Sequence, residues 1–79
     1  TKQMKRRVHT MAREILQTAL IKKYESEIAD ANAKITIMLT QARIIPEHTD
    51  ITGEIDKELG RIEAAESKMA ILKRVYGIN

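Results

Sequence analysis

The chain has no cysteine, no phenylalanine and no tryptophan, and only one proline and three glycines among its 79 residues. Without cysteine, disulfides and thiolate metal sites are both excluded. A chain too short to bury a large core therefore has neither of the usual staples. With two tyrosines as its only aromatics, any core must be built from Ile, Leu, Met, Val and Ala. That is the palette of helix–helix seams rather than of sandwiches or aromatic-lined pockets. Long apolar runs are missing as well. No window reaches the ~20 residues of a bilayer span, and 32% of the residues are charged. The basic residues near the start are not backed by an apolar segment, so they do not read as a secretory signal. The expected compartment is cytoplasmic. The net charge of +3 is too mild to imply a polyanionic partner by itself.

What is present is helical periodicity. Before Pro46 there is neither glycine nor proline, the two strongest interrupters of a helix. Tyr24, Ile28, Ala31, Ile35, Met38, Ala42 and Ile45 follow one another at spacings of 4 and 3, a two-heptad seam. Upstream, Met4, Val8, Met11 and Ile15 keep the same rhythm in a different register. Between the two, "ILQTALIKK" distributes apolar residues over several sides, so the seam rotates there or the helix bends near residues 16–23. Pro46 ends the first helix, and His48, Thr49 and Asp50 complete a polar turn. Thr49, Asp50 or Thr52 can cap a second helix in which Ile51, Ile55, Leu59, Ile62, Ala65, Met69, Leu72 and Tyr76 recur at helical spacing. Lys73 and Arg74 in the last turn and Gly77 after it mark its end. Gly53 and Gly60 each weaken that helix by roughly 1 kcal/mol, unless Gly60 admits a close helix neighbour.

The expected fold class is all-α. One domain spans residues 1–79, with a helix over about 2–43, a turn over 44–50 and a helix over about 51–76, forming an antiparallel hairpin. The first helix measures roughly 63 Å and the second roughly 40 Å at 1.5 Å per residue. Pairing Arg43 with Asp50 then sets Tyr76 beside about Thr18, and residues 1–17 overhang with Met4, Val8, Met11 and Ile15 uncovered. Such a stripe normally finds a partner. Two chains can associate as a dimeric helix bundle or antiparallel coiled coil, the arrangement expected here because two helices alone make a thin core. Alternatively the bend folds residues 2–16 back as a third helix, or the overhang docks something else. The self-association seam comprises Met4, Val8, Met11, Ile15, Tyr24, Ile28, Ile35, Met38, Ile55, Leu59, Ile62, Met69 and Leu72.

Catalytic chemistry has little to work with. There are two histidines, no Ser beside a base at a useful local spacing, no Gly-rich phosphate loop and no inward Glu-x-x-His metal motif. Glu54, Asp56, Glu58, Glu63 and Glu66 read as a solvated helix face, interleaved with Lys57 and Lys68. His9 reads as a solvated helical residue and His48 as a turn residue. No enzyme activity, cofactor or metal is expected.

The functional signal is the basic cluster Lys2, Lys5, Arg6, Arg7 and Arg13, with Lys22 and Lys23 further on. In the hairpin Lys73 and Arg74 join this end, while Glu47, Asp50, Glu54 and Asp56 gather at the turn. Close cations gain affinity for a phosphate backbone by counterion release, but no aromatic platform or base-reading motif accompanies them. The expectation is a self-associating interaction module, a homodimer with a basic N-terminal arm. The alternative is backbone-directed nucleic-acid binding without sequence preference. A membrane-surface role is disfavoured, because the segment lacks the Trp, Phe or Leu anchors such helices use.

Overall fold

The structure, a computed structural model, describes residues 2–41 and 50–77, with side chains from Met11 onward in the first helix. Two helices account for nearly all of it: α1, Lys2–Gln41, and α2, Ile51–Tyr76. The predicted last positions of the first helix, with Ala42, Ile45, Pro46, Glu47 and His48, lie outside the described residues, as do the side chains of residues 2–10.

Of the three predicted caps for α2, Asp50 is the one used. Its carboxylate Oδ1 accepts the Gly53 N–H at 2.9 Å, satisfying a donor that the first helical turn leaves unpaired, and its carbonyl accepts the Glu54 N–H at 3.2 Å as the first bond of the helix. Glu54 lies in the first turn and Lys73 and Arg74 in the last, each sign at the end that the helix dipole favours. Gly77 closes the helix at φ 69°, in the left-handed region where a Cβ would be strained.

The helices pack antiparallel. Lys68 meets Tyr24, Arg61 meets Glu27 and Asp30, and Glu54 and Lys57 share a surface cleft with Lys34 and Met38. From α1, Ile21, Tyr24, Ile28, Ala31, Ile35 and Met38 turn toward α2, extending the predicted seam one step upstream. From α2 come Ile51, Ile55, Ile62, Ala65, Met69 and Leu72. Ala31 and Ala65 are buried, and no large side chain among the described residues is fully buried. Seam residues left half exposed realise only part of the roughly 1.5–3 kcal/mol that complete burial of an Ile or Leu contributes.

Several expectations are corrected. There is no break at residues 16–23: α1 runs through them as one helix, so residues 2–16 do not fold back onto their own hairpin. Nothing in "ILQTALIKK" is a breaker, and its extra apolar residues are simply exposed, as at Leu16 and Leu20. Leu59 does not take part in the seam between α1 and α2. It is 51% exposed, and Glu58, one position earlier, takes the inward place at 7% exposure. The inward step from Ile55 to Ile62 therefore runs 3 then 4 rather than 4 then 3, and Glu58 does not belong to a solvated face. Gly60 admits no close neighbour here, since nothing lies within 4 Å of where its Cβ would stand. Tyr76, at the end of the predicted spacing, is also exposed.

The molecule is a rod of 67 × 17 × 16 Å with a radius of gyration of 18.7 Å, against about 11.6 Å for a compact chain of this length. Counting down α1 as α2 is counted up from the Lys68–Tyr24 pair sets Tyr76 level with about residue 16. The first fourteen or so residues of α1, roughly 21 Å of helix, thus extend past the end of α2.

Candidate functional site

Two places concentrate side-chain chemistry: the waist of the hairpin and its open end. At the waist the buried alanines Ala31 and Ala65 let the helices approach, and Arg61 of α2 reaches across. Its Nη2 donates to Glu27 Oε2 at 2.6 Å, and its Nη1 donates to Asp30 Oδ2 and to Glu58 Oε2, each at 2.8 Å. Lys34 adds a second cation to Asp30 at 3.1 Å. The guanidinium hydrogen bond to each carboxylate, reinforced by charge, holds Glu27 and Asp30 below their ordinary range, with Lys34 helping at Asp30. The carboxylates in turn raise Arg61 further above its already high value. Glu58, the most enclosed of the three, is satisfied by this pairing, and no buried side-chain polar atom among the described residues lacks a partner.

Chemically the cluster is closed. An arginine shared among three carboxylates leaves no proton poised for transfer and no nucleophile. Among the described residues no group of three or more acidic or histidine side chains is placed to hold a metal ion. No helix among them is long and apolar enough to cross a membrane. The sequence reading missed Arg61, although a signal was available. Arg61 flanks the α2 seam, and Glu27 and Asp30 flank the α1 seam at the height that antiparallel pairing brings opposite it.

At the open end the candidate basic residues divide. Lys2, Lys5, Arg6 and Arg7 are positions on the projecting turns of α1, and Arg13 is exposed just below them. Lys22 and Lys23 are both exposed but diverge. Lys23 edges the cleft between the helices with Tyr24, Arg61 and Lys68, whereas Lys22 stands on the side of α1 away from α2. Lys68 Nζ lies 5.7 Å from the Tyr24 ring centre, within reach of a cation–π contact. Lys73 and Arg74, exposed, sit roughly one turn beyond Lys22 along the rod. Asp50, Glu54 and Asp56 are exposed at the opposite end, so charge is polarised along the described rod.

The candidate apolar residues of the projecting arm are uncovered wherever side chains are described. Met11 is 60% and Ile15 65% exposed, and with Glu14 and Thr18 they line a shallow surface groove. His9 lies outside the described side chains, and its role is not placed. Compared with protein-family models, with curated proteins and with solved structures, the chain finds no match.

Proposed function

We propose that this protein is a non-enzymatic assembly module, a helical hairpin that associates with itself as a homodimer and presents its basic N-terminal arm to a macromolecular partner. The observation that carries this reading is surface area. The chain exposes 6700 Å², whereas a compact monomer of 9.0 kDa exposes about 4,900 Å². The excess, about 1,800 Å² per chain, matches what one subunit contributes to an obligate dimer interface. A seam in which only alanines are buried among its apolar residues is also a weak source of stability for a lone hairpin.

Sedimentation velocity of the pure protein, alone and with a labelled short DNA duplex at low and high salt, tests it. The expected result is a species of twice the chain mass. A compact monomer at micromolar concentration would overturn the reading.

A second reading, backbone-directed nucleic-acid binding, is favoured by one observation. Arg13, Lys22, Lys23, Lys73 and Arg74 are all exposed toward the end from which the Lys2–Arg7 turns project. It predicts co-sedimentation of the duplex that weakens steeply with salt. A dimer that ignores the duplex at low salt refutes this second reading and leaves the first.

A further inference from the structure

We infer that the homodimer forms through the side of α1 that faces away from α2, with two chains antiparallel and their two-fold axis passing Lys22. This rests on the self-association reading above and specifies its surface, orientation and register.

The argument begins with a stripe. Upstream of Lys22 it runs through Met4, Val8, Met11, Ile15 and Thr18. Downstream it continues through Ser26, Ala29, Ala33, Thr36 and Thr40. At about 100° per residue these positions lie some 120° around the helix from Ile21, Ile28 and Ile35 and about 180° from Tyr24, Ala31 and Met38, the two rows that face α2. Every member whose side chain is described is exposed. The stripe therefore cannot be served by the chain's own hairpin, and Lys22 is its only charge.

Three features select a second copy as the occupant. First, the spacings read 4, 3, 4, 3, 4 away from Met4 to Lys22 and 4, 3, 4, 3, 4 from Lys22 to Thr40 taken in reverse. The stripe is thus palindromic, and an antiparallel twin centred on Lys22 meets it layer for layer. Second, the sizes complement each other. That register sets Met11 against the partner's Ala33 and Ile15 against the partner's Ala29, large into small, the alternation that lets helices close on one another. Third, two of the polar members, Thr36 and Thr40, are prepared for burial. Thr36 Oγ1 donates to the Asn32 carbonyl and Thr40 Oγ1 to the Thr36 carbonyl, both at 2.8 Å. Their hydroxyl donors are thus already satisfied within α1, and docking leaves none unpaired.

Charge decides the orientation. A parallel pair would set large against large and lay two basic arms side by side. The antiparallel pair carries the arms to opposite ends, well beyond the roughly 8–10 Å over which exposed charges interact at physiological salt. The two lysines at the axis each have the partner's Glu25 one turn away. The basic positions 2, 5, 6 and 13 fall off the stripe, so dimerisation leaves that part of the arm open to a partner.

Pulsed EPR on singly labelled variants tests the geometry, and the absence of native cysteine makes the labelling unambiguous. Ala19→Cys and Asn32→Cys place nitroxides beside the stripe without occupying it. The antiparallel register predicts axial separations of about 9 Å at position 19 and about 30 Å at position 32. Alongside, Ala33→Glu is expected to weaken association about a hundredfold, since the site occurs twice and each buried charge costs at least a factor of ten. Helicity by circular dichroism should be unchanged, because Ala33 is exposed in the hairpin. Equal short distances at both positions, or association indifferent to Ala33→Glu, would overturn this interface while the homodimer stands. Absence of dipolar coupling together with monomeric sedimentation would remove the homodimer itself.

Discussion

Gly53 and Gly60 lie in the same helix seven residues apart, and replacing each by alanine separates two physical effects. In a helix interior the exchange stabilises by about 1 kcal/mol, because glycine has more backbone freedom to lose. At Gly60 nothing stands within 4 Å of the new Cβ, so Gly60→Ala should realise that gain in full, a rise of about 4–8 °C in Tm for a chain of this size. At Gly53 the Cβ would meet the Asp50 carboxylate, with Cγ at 2.8 Å and Oδ1 at 3.0 Å and Oδ2 closer still. The side chain must swing aside, weakening the cap bond to the Gly53 N–H. Losing an N-cap costs about 1 kcal/mol, so Gly53→Ala should come out near zero. Urea unfolding followed by circular dichroism, at one fixed protein concentration because association shifts the midpoint, measures both. The variants should differ by about 1 kcal/mol. Equal gains would refute the account of Asp50 as a cap held in place by the missing Cβ. No gain at Gly60 would show that its face is covered in solution.

Other outcomes follow from the seam, the waist and the stripe. Leu59→Gln should change stability by no more than about 0.5 kcal/mol, whereas Ile62→Gln should cost about 2 kcal/mol, read from the same urea midpoints. Glu27 and Asp30 are held below their ordinary values of 4.5 and 3.8. Their contribution is therefore complete above those values and is lost as pH falls through the lower folded-state values. The urea midpoint should fall on acidification below pH 4.5, and Arg61→Met should flatten that dependence. Lys22→Leu, which removes the only charge from the outward stripe, should tighten self-association at least tenfold by sedimentation equilibrium, and an unchanged constant would place the stripe outside the interface.

Much of the fold was legible because periodicity and punctuation agree. The end of α2 was readable from Gly77, whereas its cap was narrowed only to Thr49, Asp50 or Thr52, among which the Asp50 carboxylate decides in the structure. The uncovered arm followed from the unequal helix lengths. What misled was local degeneracy. Leu59 fits an apolar spacing as well as Glu58 fits a charged one. Hydrophobicity favours the leucine, but a carboxylate can take the inward place when an arginine one turn away satisfies it. Leu16 and Leu20 suggested a bend for a similar reason: extra apolar residues indicate extra contacts, and those contacts are not made within the hairpin. The candidate site was legible as a pattern of charge but not as geometry. Neighbours in sequence such as Lys22 and Lys23 diverge by about 100° on a helix, so a cluster in the sequence is two surfaces in space.

The Arg61 cluster has a bearing on alignment. The α1 seam repeats every seven residues, with Ile21, Ile28 and Ile35 in one row and Tyr24, Ala31 and Met38 in the other. Apolar contact alone would therefore tolerate α2 sliding a full heptad in either direction. A slide toward the start of α1 brings Arg61 opposite Leu20 and Lys23, and one toward its end brings it opposite Lys34 and Ile37. Either slip exchanges two carboxylates for one aliphatic side chain and one like charge. Surface ion pairs add little to stability, yet here they leave a smooth, repetitive seam with a single acceptable registration, as a buried polar residue does in a coiled coil.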